Sequence, residues 1–83
     1  DREARVLTYE RRLRGGITLA TWRGTLHEQR VSVRVEGTYE RWRWSYAIDG
    51  PGITSGAGVE TNESDAIRVA FAGLRENRHA IDR

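Results

Sequence analysis

At 83 residues with a formal net charge of +2, the chain is sized for one domain with a modest core, and its charge balance hardly separates a nucleic-acid binder from any other domain. Cysteine is absent, which excludes a disulfide framework and any thiolate metal site and suits a reducing cytoplasm. No apolar run approaches the roughly 20 residues of a membrane helix, so no membrane partner is expected. The sequence opens at Asp1 with charges instead of a secretory apolar segment; without an initial methionine, the question of a removed leader stays open.

Across residues 5–13, Leu7, Tyr9 and Leu13 share one parity while Thr8, Glu10 and Arg12 take the other, the two-residue period of a strand with one apolar face. Gly15-Gly16 then predicts a two-residue hairpin loop, because both positions tolerate positive φ. Closing there sets Arg14 opposite Ile17, Tyr9 opposite Trp22 and Leu7 opposite Gly24, with Arg11 the one residue out of place on the apolar face. The alternative is a helix over residues 1–14 ended by Gly15, but its apolar positions make only a ragged stripe.

Residues 27–30 read as a four-residue loop, which pairs Leu26 with Val31 and Trp22 with Val35. A turn over residues 37–40 pairs Glu36 with Arg41, Val35 with Trp42, Val33 with Trp44 and Val31 with Tyr46, β-branched residues against aromatics. Trp42, Trp44, Tyr46 and Ile48 alternate with Arg41, Arg43, Ser45 and Ala47. After the turn signal Asp49-Gly50-Pro51-Gly52, the residues Ile53, Ser55, Ala57 and Val59 resume the alternation, with Ile48 opposite Ile53 and Trp42 opposite Val59. Four hairpins thus agree on one apolar face, and a one-residue slip in any of them would turn a strand's apolar set outward.

From about residue 62 to residue 77 or beyond, the period changes to that of an amphipathic helix. Thr61 or Asn62 can cap it, Glu63 and Asp65 suit its positive end, and Arg75, Arg78 and His79 suit its negative end. Ala66, Ile67, Ala70, Phe71, Leu74 and Ile81 form its apolar stripe, with Val69 and Ala72 on the far side. Small residues at Gly24, Ser55 and Ala57 are expected to let the helix approach the sheet. The predicted fold is therefore α+β: one domain over residues 1–83, an antiparallel meander of four to five strands with one C-terminal α-helix packed on one face.

Nothing in the chain argues for an enzyme, a cofactor or a small-molecule substrate. His27 and His79 have no serine or cysteine placed to use them as bases, and Glu60, Glu63 and Asp65 sit where helix-start acids belong. Gly50, Gly52, Gly56 and Gly58 precede a helix that opens with acids, which would repel the phosphate a glycine-rich loop holds. All 14 basic residues are arginine, a bias that suits phosphate recognition and is also what GC-rich bacterial coding produces.

The polar face of the predicted sheet carries the functional lead. The expected registers set Arg23, Arg34 and Arg43 in a row across three strands, costly unless an anion neutralises it. With Arg12, Arg14 and Arg41 nearby, that row suits a nucleic-acid backbone. The opposing reading is that an adjacent row, Glu10, Thr21, Glu36, Arg41 and Glu60, makes the face a solvated checkerboard of ion pairs. On the apolar face, five strands span about 20–24 Å and one helix about 10 Å. The part left uncovered is expected to include some of Leu7, Tyr9, Leu13, Ala20 and Trp22, as a partner or dimer face. The expected role is a small bacterial-type nucleic-acid-binding module; the alternative is a non-catalytic protein-interaction or accessory protein acting as a homodimer.

The order of a strand meander and then one long helix is similar to the PUR-repeat and Whirly families, whose curved sheets bind single-stranded nucleic acid. The resemblance is one of topology, carried by no shared motif, and it assigns no functional residue. With residues 1–14 helical, the order would instead resemble a double-stranded-RNA-binding domain, but that family's basic start to the last helix is replaced here by Glu60, Glu63 and Asp65.

Overall fold

A computed structural model describes residues 6–26, 29–49 and 53–77 and has the expected architecture. Strands β1 (Val6–Arg14), β2 (Ile17–Leu26), β3 (Gln29–Thr38), β4 (Arg41–Asp49) and β5 (Ile53–Glu60) lie side by side in chain order as one antiparallel sheet. Helix α1 (Glu63–Glu76) crosses one face, chiefly over β4 and also over β3 and β5. Residues 6–14 are strand rather than helix; residues 1–5, His27, Gly50, Pro51, Gly52, Arg78, His79 and Ile81 lie outside the described residues.

The first hairpin has the expected register, with Leu7 opposite Gly24, Tyr9 opposite Trp22 and Arg14 opposite Ile17. Its turn takes φ values of 59° at Gly15 and 81° at Gly16, the left-handed region that a tight hairpin loop of this kind needs. The next two hairpins correct the expectation by two residues each. Leu26 faces Gln29 and Thr38 faces Arg41, so only two residues join each strand pair, and Trp22 comes opposite Val33 instead of Val35. Val31, Val33 and Val35 now face Ile48, Tyr46 and Trp44. Shorter links add ladder pairs at the turn end of each hairpin. Tyr39 accepts a φ of 52° in the process, and the Trp42 Nε1 donates to its carbonyl at 2.7 Å. A shift of two leaves every side chain on its expected face, so Val31, Val33, Val35, Trp42 and Ile48 form the core with Ala66, Ala70 and Leu74 of α1.

The last hairpin differs by one residue, and that changes faces. Asp49 meets Ile53, Tyr46 meets Gly56 and Trp44 meets Gly58. Ser55, Ala57 and Val59 therefore lie on the outer face, and Val59 is 56% exposed. The reason is steric. The Tyr46 ring lies over Gly56 and the Trp44 ring over Gly58, where a Cβ on either glycine would stand 2.6 Å from a ring atom. The helix approaches through Gly73, whose own Cβ would meet the Tyr46 ring at 2.4 Å. Glycine on β5 and α1, not Ser55 and Ala57, provides the close contact between helix and sheet.

Asn62 caps α1, its side-chain oxygen accepting from the Asp65 N–H at 2.8 Å, and Glu63 and Asp65 occupy the first turn. Asn77 closes it; its Nδ2 donates to the Gly73 carbonyl at 2.9 Å and to the Tyr46 hydroxyl at 3.0 Å. Ala66, Ala70 and Leu74 are buried, and Ile67, Phe71, Val69 and Ala72 are half-buried. Asn62→Ala should lower the unfolding free energy by about 1 kcal/mol, read from the urea midpoint at unchanged slope.

Candidate interaction surfaces

The outer face holds all six arginines expected to meet nucleic acid: Arg12 and Arg14 on β1, Arg23 on β2, Arg34 on β3, Arg41 and Arg43 on β4, each exposed. The straight row is not formed. Arg23 faces Ser32, Arg34 faces Thr21 and Ser45, and Arg43 faces Glu36 and Val59. The two register shifts turn the row into a diagonal from Arg43 through Arg34 to Arg23, each step one strand across and two residues along. Diagonal neighbours stand about 7–8 Å apart against about 5 Å for residues directly opposite, so the like-charge penalty of the row is relieved.

The neutralising row of the opposing reading is not formed either. Glu60 is on the inner face, accepting from the Trp44 Nε1 at 3.2 Å, and Glu36 faces Arg43. Glu10 pairs with Arg12 at 2.8 Å and with Arg23 at 3.8 Å, and Glu36 pairs with Arg34 at 3.5 Å. These pairs are exposed and each is worth about 0–1 kcal/mol, so a phosphate can displace them. Arg14, Arg41 and Arg43 have no carboxylate partner among the described residues, and they lie toward the end of the sheet that carries the first and third hairpin turns.

Two open depressions mark this face. One, of ≈ 500 Å³, is bordered by Arg34, Arg43, Ala57 and Val59; the other, of ≈ 490 Å³, by Arg23, Arg30, Ser32 and Asp49. Sequence reasoning missed Arg30 because it assigned that residue to a loop. It missed the apolar patch at Ala57 and Val59 because it placed those residues inside.

On the inner face, the surface left over beside β1 and β2 is smaller than expected. Trp22 is half-buried between Tyr9, whose ring centroid is 4.9 Å away, and Phe71 of α1, edge-on at 5.2 Å. Leu7 is half-buried and Ala20 is fully covered. Arg11, the residue out of place in the strand pattern, reaches over to the Glu63 carboxylate at the start of α1. That hydrogen bond is the main reason its guanidinium pKa lies above the usual value. The uncovered remainder is Tyr9, 51% exposed, and Leu13, 74% exposed.

Among the described residues no three His, Cys, Asp or Glu side chains gather as metal ligands, and no helix is long and apolar enough to cross a membrane. Compared with protein-family models, curated proteins and solved structures, the chain has no match.

Proposed function

We propose that the chain is a nucleic-acid-binding module whose outer sheet face holds the phosphate backbone. The observation that supports this is the charge imbalance of one face: Arg12, Arg14, Arg23, Arg30, Arg34, Arg41 and Arg43 share it with only Glu10, Glu36 and Asp49 among the described residues. The Arg43–Arg34–Arg23 diagonal spans about 15 Å in two steps and forms a track for successive phosphates. The core tryptophans belong to the opposite face, so base stacking falls to Tyr39, 91% exposed at the turn beside Arg41. Recognition of this kind reads charge and stacking rather than sequence.

Titrating a fluorescent single-stranded oligonucleotide at several salt concentrations tests the reading. Binding should weaken steeply with salt, and Arg43→Ala should reduce the salt slope by about one. Arg34→Glu should cost at least about tenfold in affinity, since it removes one cation and adds an anion mid-track. No binding at low ionic strength, or an Arg34→Glu variant equal to the parent, rejects it.

A second reading, a protein-interaction or accessory role as a homodimer, draws its support from the exposure of Tyr9 and Leu13 beside Leu7 and Trp22. It predicts that Tyr9→Ala or Trp22→Ala changes the mass in solution while oligonucleotides have no effect.

A further inference from the structure

The sheet has two edges, and their chemistry differs. The β1 edge carries Glu10, Arg11, Arg12 and Arg14, side chains of the kind that keep an edge strand from pairing with another chain. The β5 edge reads Ile-Thr-Ser-Gly-Ala-Gly-Val-Glu, uncharged until its last residue. Among the described residues β5 pairs with β4 alone, so about half of its backbone N–H and C=O groups point away from the sheet. Among the described residues little shields them: Gly56 and Gly58 have no side chain, and Ser55 and Ala57 are small and exposed.

The flank of α1 above this edge is mixed, with Asp65 four residues before Val69 and Glu76 three after Gly73 on the same stripe. Gly73 rests on the Tyr46 ring over β4 and β5, and Val69 stands one turn earlier on the same flank, with Ala72 beyond it. Phe71 takes the other flank, toward Trp22 on β2. Val69 and Ala72 are only half-buried.

We infer that β5 is the edge through which two copies of this chain join, antiparallel, into one ten-stranded sheet. An isolated peptide strand would satisfy the β5 backbone and leave its own outer edge bare, whereas a second copy closes two β5 edges at once and leaves only the charged β1 edges at the ends of the sheet. Charge along the strands is compatible with self-pairing: with Ala57 of the two copies face to face, Glu60 meets Thr54 and no strand carboxylate meets another. There is room, because α1 lies chiefly over β4. The two helices would stand three strand spacings, about 14 Å, apart, which clears a helix diameter of about 10–12 Å. The two-fold axis is normal to the sheet, so the arginine faces of both copies look the same way. The dimer does not depend on the nucleic-acid reading and is measured without oligonucleotide.

Sedimentation equilibrium of the parent chain should give twice the 9.5 kDa chain mass in the micromolar range. The double variant S55K/A57K places lysines on two exposed edge positions and should halve that mass, while Leu13→Asp should leave the dimer intact. A parent that stays at single-chain mass throughout, or a dimer that survives the edge lysines, overturns the inference. If circular dichroism shows S55K/A57K unfolded, Ala57→Cys decides, because the chain has no other thiol. Oxidation should then capture a covalent dimer that Leu13→Cys does not form; equal capture by both overturns the inference.

Discussion

Gly73→Ala should destabilise the protein by about 1–3 kcal/mol, although alanine in an isolated helix is favoured over glycine by roughly 1 kcal/mol. Intrinsic propensity and packing make opposite predictions here, and packing is the larger effect. The Tyr46 ring is enclosed by Gly56 on β5 and Gly73 on α1, and its hydroxyl accepts from Asn77, so it has little freedom to move aside. A Cβ at position 73 would stand 2.4 Å from the ring, closer than any real contact, and either α1 must lift from β4 or the ring must leave its place. Urea unfolding of the variant measures the cost. In a Tyr46→Leu background the same substitution should cost at least about 1 kcal/mol less, the coupling expected of residues in direct contact. A stabilised Gly73→Ala variant would show that the helix does not approach the sheet through this ring.

Ile48→Ala is expected to cost about 2–5 kcal/mol, the range for emptying a buried aliphatic site. Ile48 is 1% exposed, opposite Val31 on β3, and belongs to the cluster that α1 closes with Ala66, Ala70 and Leu74. Native domains carry about 0.05–0.15 kcal/mol per residue, which for this length is a total of about 4–12 kcal/mol. The substitution thus removes a large part of the stability or all of it. Leu13→Ala and Tyr39→Ala, at positions 74% and 91% exposed, should stay within about 0.5 kcal/mol of the parent. Urea midpoints for the three variants, at a common slope, separate core from surface; equal losses in all three would contradict the burial of Ile48.

The candidate surface was only partly legible in the sequence. That Arg12, Arg14, Arg23, Arg34, Arg41 and Arg43 share a face follows from alternation once residues 6–14 are read as a strand, because the apolar sets of β3 and β4 are clear and those of β1 and β2 agree with them across the first hairpin. Their mutual placement does not follow. A shift of two residues keeps every side chain on its face and still sets Val33 and Val35 against aromatics, so alternation leaves no signal by which a two-residue link can be told from a four-residue one. The arginine diagonal depends on that choice. Alternation likewise located Tyr9 and Leu13 beyond the reach of one helix, but it had no means of showing that Phe71 would extend cover to Trp22 or that Arg11 would bridge to Glu63.

The sequence by itself determined a meander of four to five antiparallel strands in chain order, the inward faces of β2 to β4 and the helix that starts near Asn62. These rest on period, turn residues and capping, all local properties that survive any change of register. Tertiary structure alone decided the registers beyond the first hairpin and the face of β5. In that strand Ile53 and Val59 compete with two glycines on the other parity, and hydrophobicity favours turning Val59 inward. The rings of Tyr46 and Trp44 need empty space beside them on the inner face, and only Gly56 and Gly58 provide it, so the volume of β4 side chains overrides the apolar pattern of β5.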